Sequence, residues 1–100
     1  AEVAKPEWWN DEELKALSVR VVRAAPSESA AHCMRAMVLC VQDGVWEAEP
    51  RSVAEFMEAA MHYEQAVALS SAPAVKAQMA KFACWCRSQA EAILVHLGCT

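Results

Sequence analysis

The residues with the most chemistry open to them are five cysteines, three histidines and five methionines. A thiolate is a nucleophile or a metal ligand, and an imidazole is a base or a ligand. Either use needs the right spacing. Cys33, Cys40, Cys84, Cys86 and Cys99 contain no C-x-x-C pair, and none of His32, His62 and His96 has a second histidine four residues on. A zinc ribbon and a two-histidine helix face are therefore not written in the chain. Cys84 and Cys86 lie about 200° apart around a helix and cannot chelate together. His32-Cys33 with Cys40, or Cys84 with Cys86, would reach zinc only if the fold brought them together. A cysteine nucleophile needs an adjacent base and a lowered pKa; Cys40 is expected to be buried and Cys99 to lie at a frayed end. Asp11, Glu12 and Glu13 suit the positive end of a helix dipole rather than acid–base work. Gly44 and Gly98 are the only glycines, too few for a phosphate loop. Met34, Met37, Met57, Met61 and Met79 suit an adaptable binding surface, but core filling is the expectation. The reading is of no enzyme, no cofactor and no metal site.

The composition is that of a helical protein. One hundred residues allow one domain. Alanine contributes 21 of them, against one isoleucine and one threonine, a strong helix bias. A hydrophobic share of 56% excludes disorder. Net charge is −4, so a basic nucleic-acid footprint is absent. The charge is uneven: residues 27–69 carry seven acids against Arg35 and Arg51, while residues 70–100 carry Lys76, Lys81 and Arg87 against Glu91. The odd cysteine count argues against a secreted disulfide scaffold and for a reducing, cytoplasmic setting. No run approaches the roughly 20 apolar residues of a membrane span.

Four helices follow from the periodicity. Residues 1–9 read as an arm, with Trp8-Trp9 stapling it to the first helix pair, and residues 10–98 as one domain. The first helix starts at Asn10, has Leu14, Leu17, Val21 and Ala24 as its stripe, and stops at Pro26. The second runs from Ser27 or Ser29 to Asp43, with Gly44 as its stop. Ala30, Met34, Met37 and Val41 make its stripe, with Met34 facing the core. Being apolar nearly all round, it should be central. A linker from Val45 to Arg51 follows, and Trp46 is expected to fold over the core. Ser52-x-x-Glu55 is a capping box opening the third helix. Val53, Phe56, Ala60, Tyr63 and Val67 form the apolar stripe of this helix, and Glu55, Glu58, His62 and Gln65 a polar back. The fourth helix spans Ala74 to Leu97, roughly 36 Å at 1.5 Å per residue. Its stripe is Val75, Met79, Phe82, Cys86, Ala90, Ile93 and Leu97. A weak repeat offset by 47 positions matches Ala25-Pro26 to Ala72-Pro73.

The stretch from Glu58 to Leu69 resembles the second helix of a tetratricopeptide repeat. Ala59, Tyr63 and Ala66 match the family's small residue, aromatic four later and small residue three after that. The family proline is expected at Ser71, whereas Pro73 stands two positions late. The aromatic and glycine positions of the family's first helix are not matched, and the loop before Ser52 is longer than the family turn. The resemblance covers about residues 14–90. It implies an antiparallel array of helix hairpins and a protein–protein interaction module binding a peptide or helix of a partner. The groove it implies is lined by Cys33, Met37 and Cys40 on the second helix, and Ala77, Ala80, Cys84 and Arg87 on the fourth. The partner-binding residues singled out are Met37, Lys76, Cys84 and Arg87. Neither nucleic acid nor membrane is an expected partner, and a monomer is favoured. The competing reading is a structural subunit or domain of a larger complex.

Overall fold

A computed structural model describes residues 11–40 and 51–98. Within them the chain is all α-helix: α1 Asp11–Ala24, α2 Ser29–Cys40, α3 Val53–Leu69 and α4 Pro73–Gly98. Consecutive helices pack on one another, α1 on α2, α2 on α3 and α3 on α4, an array of antiparallel hairpins. The arm with Trp8-Trp9, the cap expected at Asn10, the far end of the second helix with Gly44, Trp46 and Cys99 lie outside the described residues.

Local chemistry sets the boundaries. Pro26 follows α1 closely, and the Ala25 and Glu28 amides close the turn by donating to Val21 O and Ala25 O. The capping box at α3 is fully formed: Glu55 N donates to Ser52 Oγ at 3.1 Å, and Ser52 N donates to the Glu55 carboxylate at 3.0 Å. Two orphan amides are satisfied reciprocally. At the other end the Ser70 amide donates to Ala66 O. Pro73 is the first residue of α4, where a missing N–H costs nothing and the fixed φ suits a helix. Arg51 bridges to the preceding hairpin, its guanidinium donating to Leu39 O at 2.9 Å and Val38 O at 2.8 Å. A cation on carbonyls of α2's last turn is favourable both as a hydrogen bond and against the dipole.

The core is built from small residues. Ala36, Ala59, Ala60, Ala66, Ala83 and Ala90 are buried with Leu39, Cys40, Met79 and Cys86. Alanine at these contacts lets the helix backbones approach closely. Tyr63, the largest fully buried side chain, fills the space that the alanines leave. Its ring meets Phe82 at 5.4 Å, and Phe56 meets Trp85 edge-on at 6.0 Å, the tilted geometries that aromatic pairs prefer.

The α3 and α4 stripes point inward as their periodicity required, with Ala60, Tyr63, Met79, Cys86 and Ala90 buried. Val75 and Leu97, at the ends of the α4 stripe, are exposed; Leu97 lies where the longer α4 runs past the helix it packs on. Elsewhere the wheel phase is corrected. On α1, Leu17 is exposed and the fully buried position is Ser18. On α2, Ala30 is exposed and Met34 only half-buried; Ala31, His32, Ala36, Leu39 and Cys40 go inward. The polar back expected on α3 is largely not a back: His62 is buried and Glu55 and Glu58 are half-buried, with only Gln65 exposed. The reason is a polar layer between the hairpins that hydrophobic periodicity cannot register. Centrality is shared by α2 and α3, each packed between two neighbours.

Candidate functional site

That polar layer starts from Arg35, which joins its own helix, α2, to two others. Its guanidinium donates from Nη1 to Lys15 O at 3.0 Å and Ser18 Oγ at 2.9 Å on α1. It donates from Nε and Nη2 to Glu58 Oε2 at 3.2 and 3.1 Å on α3. Ser18 Oγ passes its own proton to Lys15 O at 2.7 Å, which explains how a serine tolerates complete burial. Beside this pin, Lys15 Nζ meets Glu55 Oε2 at 2.7 Å. The hydrogen bond to Glu55 raises the lysine pKa against the cost of burial. Burial pushes Glu55 up, but Lys15 and the Ser52 amide more than offset it, so its pKa falls.

The layer continues into a buried histidine pair. The His32 and His62 rings stack at 5.2 Å, with their Nδ1 atoms 2.9 Å apart. His32 Nε2 lies 2.8 Å from Pro26 O, and His62 Nε2 lies 3.4 Å from Glu58 Oε2. A carbonyl only accepts, so His32 carries its proton on Nε2 and its Nδ1 receives one from His62. Burial lowers the pKa of His62, with Glu58 pulling the other way.

On the other side, α3 and α4 enclose a shallow groove of about 300 Å³. Val67, Ala80, Ala83 and Cys84 give it apolar walls, and Glu64 and Arg87 form its charged rim. These two rim residues are paired to each other across the helices and about half exposed. Cys84 and Arg87, singled out from the sequence, thus meet in one depression. Met37 and Lys76 do not line it: Met37 packs on the edge of the core, and Lys76 is exposed on the first turns of α4. Cys33 and Cys40, expected as groove wall, belong instead to the packing of α2 against the core of α3 and α4. Cys40 is buried, with its sulfur 3.6 Å from Tyr63 Oη, and Cys33 Sγ lies 3.4 Å from Met79 Sδ. The groove therefore runs between α3 and α4, and Cys33 and Cys40 take part in core packing instead of lining it.

Cys33, Cys40, Cys84 and Cys86 are all in the thiol form. The hydrogen bond with Cys40, followed by burial, pushes the Cys86 thiol far above its ordinary range, so this sulfur is held neutral and is a poor nucleophile. Burial, then the bond to Cys40, does the same to the Tyr63 phenol. Among the described residues no three of His, Cys, Asp and Glu are arranged to hold a metal ion, and no helix is long and apolar enough to cross a membrane. The sequence does not mark Arg35, His32 and Ser18 as a connected set. Their only signal is the placement of polar residues inside otherwise apolar helical stretches. No family model matches the chain, and neither does any curated protein or solved structure.

Proposed function

We propose that the domain is a protein–protein interaction module of helical-repeat, tetratricopeptide-like type, which receives a peptide or helix of a partner in the α3–α4 groove. The carrying observation is the groove itself, with apolar walls beneath an exposed Arg87–Glu64 pair. Such a surface offers apolar contact for affinity and a cation for orientation. The tetratricopeptide-like packing draws support from Ala59, Tyr63 and Ala66, the three positions of the resemblance, all of which are fully buried. The odd cysteine count supports a reducing, cytoplasmic setting for this activity.

A peptide-display selection against the domain supplies ligands for the test. Exposed ion pairs contribute about 0–1 kcal/mol, so Arg87→Glu is expected to weaken a selected acidic peptide up to about fivefold while the unfolding midpoint hardly moves. Ala80→Asp, which places a charge on the groove wall, should abolish binding, and Gln65→Lys on the exposed face of α3 should leave it unchanged. A peptide indifferent to Ala80→Asp but lost on Gln65→Lys defeats the groove reading. Glu58 and His62 do not serve as surface controls, since both belong to the layer between the hairpins.

A second reading, a subunit held permanently in a larger assembly, is favoured by the end of α4. There Leu94, Val95 and Leu97 are each more than half exposed. Light scattering on the purified chain separates the two. A stable monomer supports the module, and self-association that Leu94→Lys abolishes supports the subunit.

A further inference from the structure

We propose that Cys33, Met37 and Met79 form a binding site for a soft monovalent metal ion, Cu(I), held by one thiolate and two thioethers. Cys33 and Met37 are four apart on α2 and so share a face. The α2–α4 contact brings Met79 to the same point. Cys33 Sγ lies 3.9 Å from Met37 Sδ and 3.4 Å from Met79 Sδ. Metal–sulfur bonds of about 2.3 Å, as thiolate makes on zinc, put three trigonal ligands about 4 Å apart. Both separations from Cys33 Sγ are therefore already close to that spacing. Small rotations of two methionines, side chains with three rotatable bonds, complete it.

The donor set selects the ion. Thiolate and thioether are soft ligands that favour Cu(I) over harder cations. The neighbouring His32 is committed elsewhere, both ring nitrogens being taken up by His62 and Pro26 O. No described trio of His, Cys, Asp or Glu offers a rival site to zinc or iron. Binding needs no electron transfer. The Cys33 S–H bond breaks, a Cu–S bond forms, the proton leaves to buffer, and copper stays in the +1 state. Thiolate plus Cu(I) is neutral, which suits an apolar surrounding where a residual charge is costly. Cys33 and Met37 are half-buried and Met79 is buried. The ion has an entrance at the first two and an anchor at the third.

The test is anaerobic titration of the reduced chain with Cu(I) in competition with bathocuproine disulfonate. The expected result is one equivalent bound, one proton released, and a thiolate-to-copper charge-transfer band in the ultraviolet. X-ray absorption should show three sulfur neighbours. Cys33→Ser should weaken binding by about a hundredfold or more. Met37→Leu and Met79→Leu conserve volume, so the fold persists, and each should weaken binding about tenfold. Cys84→Ser, which removes an exposed thiol of the groove, should change nothing. Undiminished binding in Cys33→Ser overturns the site, as does indifference to both methionine variants. Loss on Cys84→Ser, or a two-sulfur linear spectrum assigned to other cysteines, overturns it equally.

Discussion

At the residue scale the histidine pair carries a proton deficit. Three contacts each require an N–H: His32 to Pro26 O, His62 to His32, and His62 to Glu58. Two neutral rings supply only two such protons. With both rings neutral the contact left without a proton is the longest, at 3.4 Å to Glu58. A third proton would complete the chain, yet burial opposes it and holds the His62 pKa below its ordinary 6.5. The consequence for stability follows by linkage. As pH falls through about 6.5 the unfolded chain takes up this proton first, so stability is complete above that value. It declines as pH drops toward the folded-state pKa. Urea unfolding between pH 7.5 and 5 should show this decline. His62→Gln, which cannot titrate, should flatten it. An equally steep decline in the variant would assign it to another group. Glu55 adds loss at lower pH, since its pKa in the fold is below 4.5 and its protonation removes the partner of Lys15.

At the element scale Arg35 ties α1, α2 and α3 together. Apolar burial on α1 is partial: Leu17 is exposed, Leu14 and Val21 are half-buried, and the fully buried position is Ser18. Directional bonds therefore add to the packing that seats α1. Arg35→Met keeps much of the side-chain volume but leaves Ser18 and Glu58 without their donor. Glu58 is partly solvated and can recover water, so the cost should be about 1–3 kcal/mol, read from the urea midpoint. Amide hydrogen exchange should accelerate in α1 more than in α4. Uniform acceleration across all four helices would mean that α1 is held by packing instead. The α3 capping box, by contrast, acts locally and needs no other helix.

At the scale of the whole molecule, stability concentrates where α3 lies between α2 and α4. Tyr63 occupies that point, surrounded by Ala59, Ala60, Ala66, Cys40 and Cys86 in one buried cluster. Small neighbours cannot close over a lost ring, so Tyr63→Ala should cost about 3–5 kcal/mol, the range for deleting a buried aromatic. A domain of this size has roughly 5–15 kcal/mol in total, and the thermal midpoint should fall by tens of degrees. A shift of only a few degrees would mean that the site collapses and that the array is more pliant than its alanine contacts imply. The same close contact explains why the groove is shallow: helices packed through alanine leave room for side-chain tips, not for a deep cavity.

What the chain determined by itself was everything set by neighbours in sequence. Helix number, the Ser52–Glu55 box, the stop at Pro26 and the inward stripes of α3 and α4 all follow from backbone chemistry and a 3.6-residue period. Those causes act within a turn or two of helix, so they are legible without a fold. The tertiary structure decided the rest. Hydrophobic period treats Ser18, Arg35, Glu58 and His62 as outward residues, and only the approach of three helices turns them into a hydrogen-bonded layer, with Ser18 and His62 buried and Arg35 and Glu58 half-buried. The meeting of Cys33 with Met79, 46 positions away, and of Glu64 with Arg87 depends equally on helix packing. Metal-ligand spacing rules look along the chain and count thiols and imidazoles, so a thioether delivered by another helix escapes them.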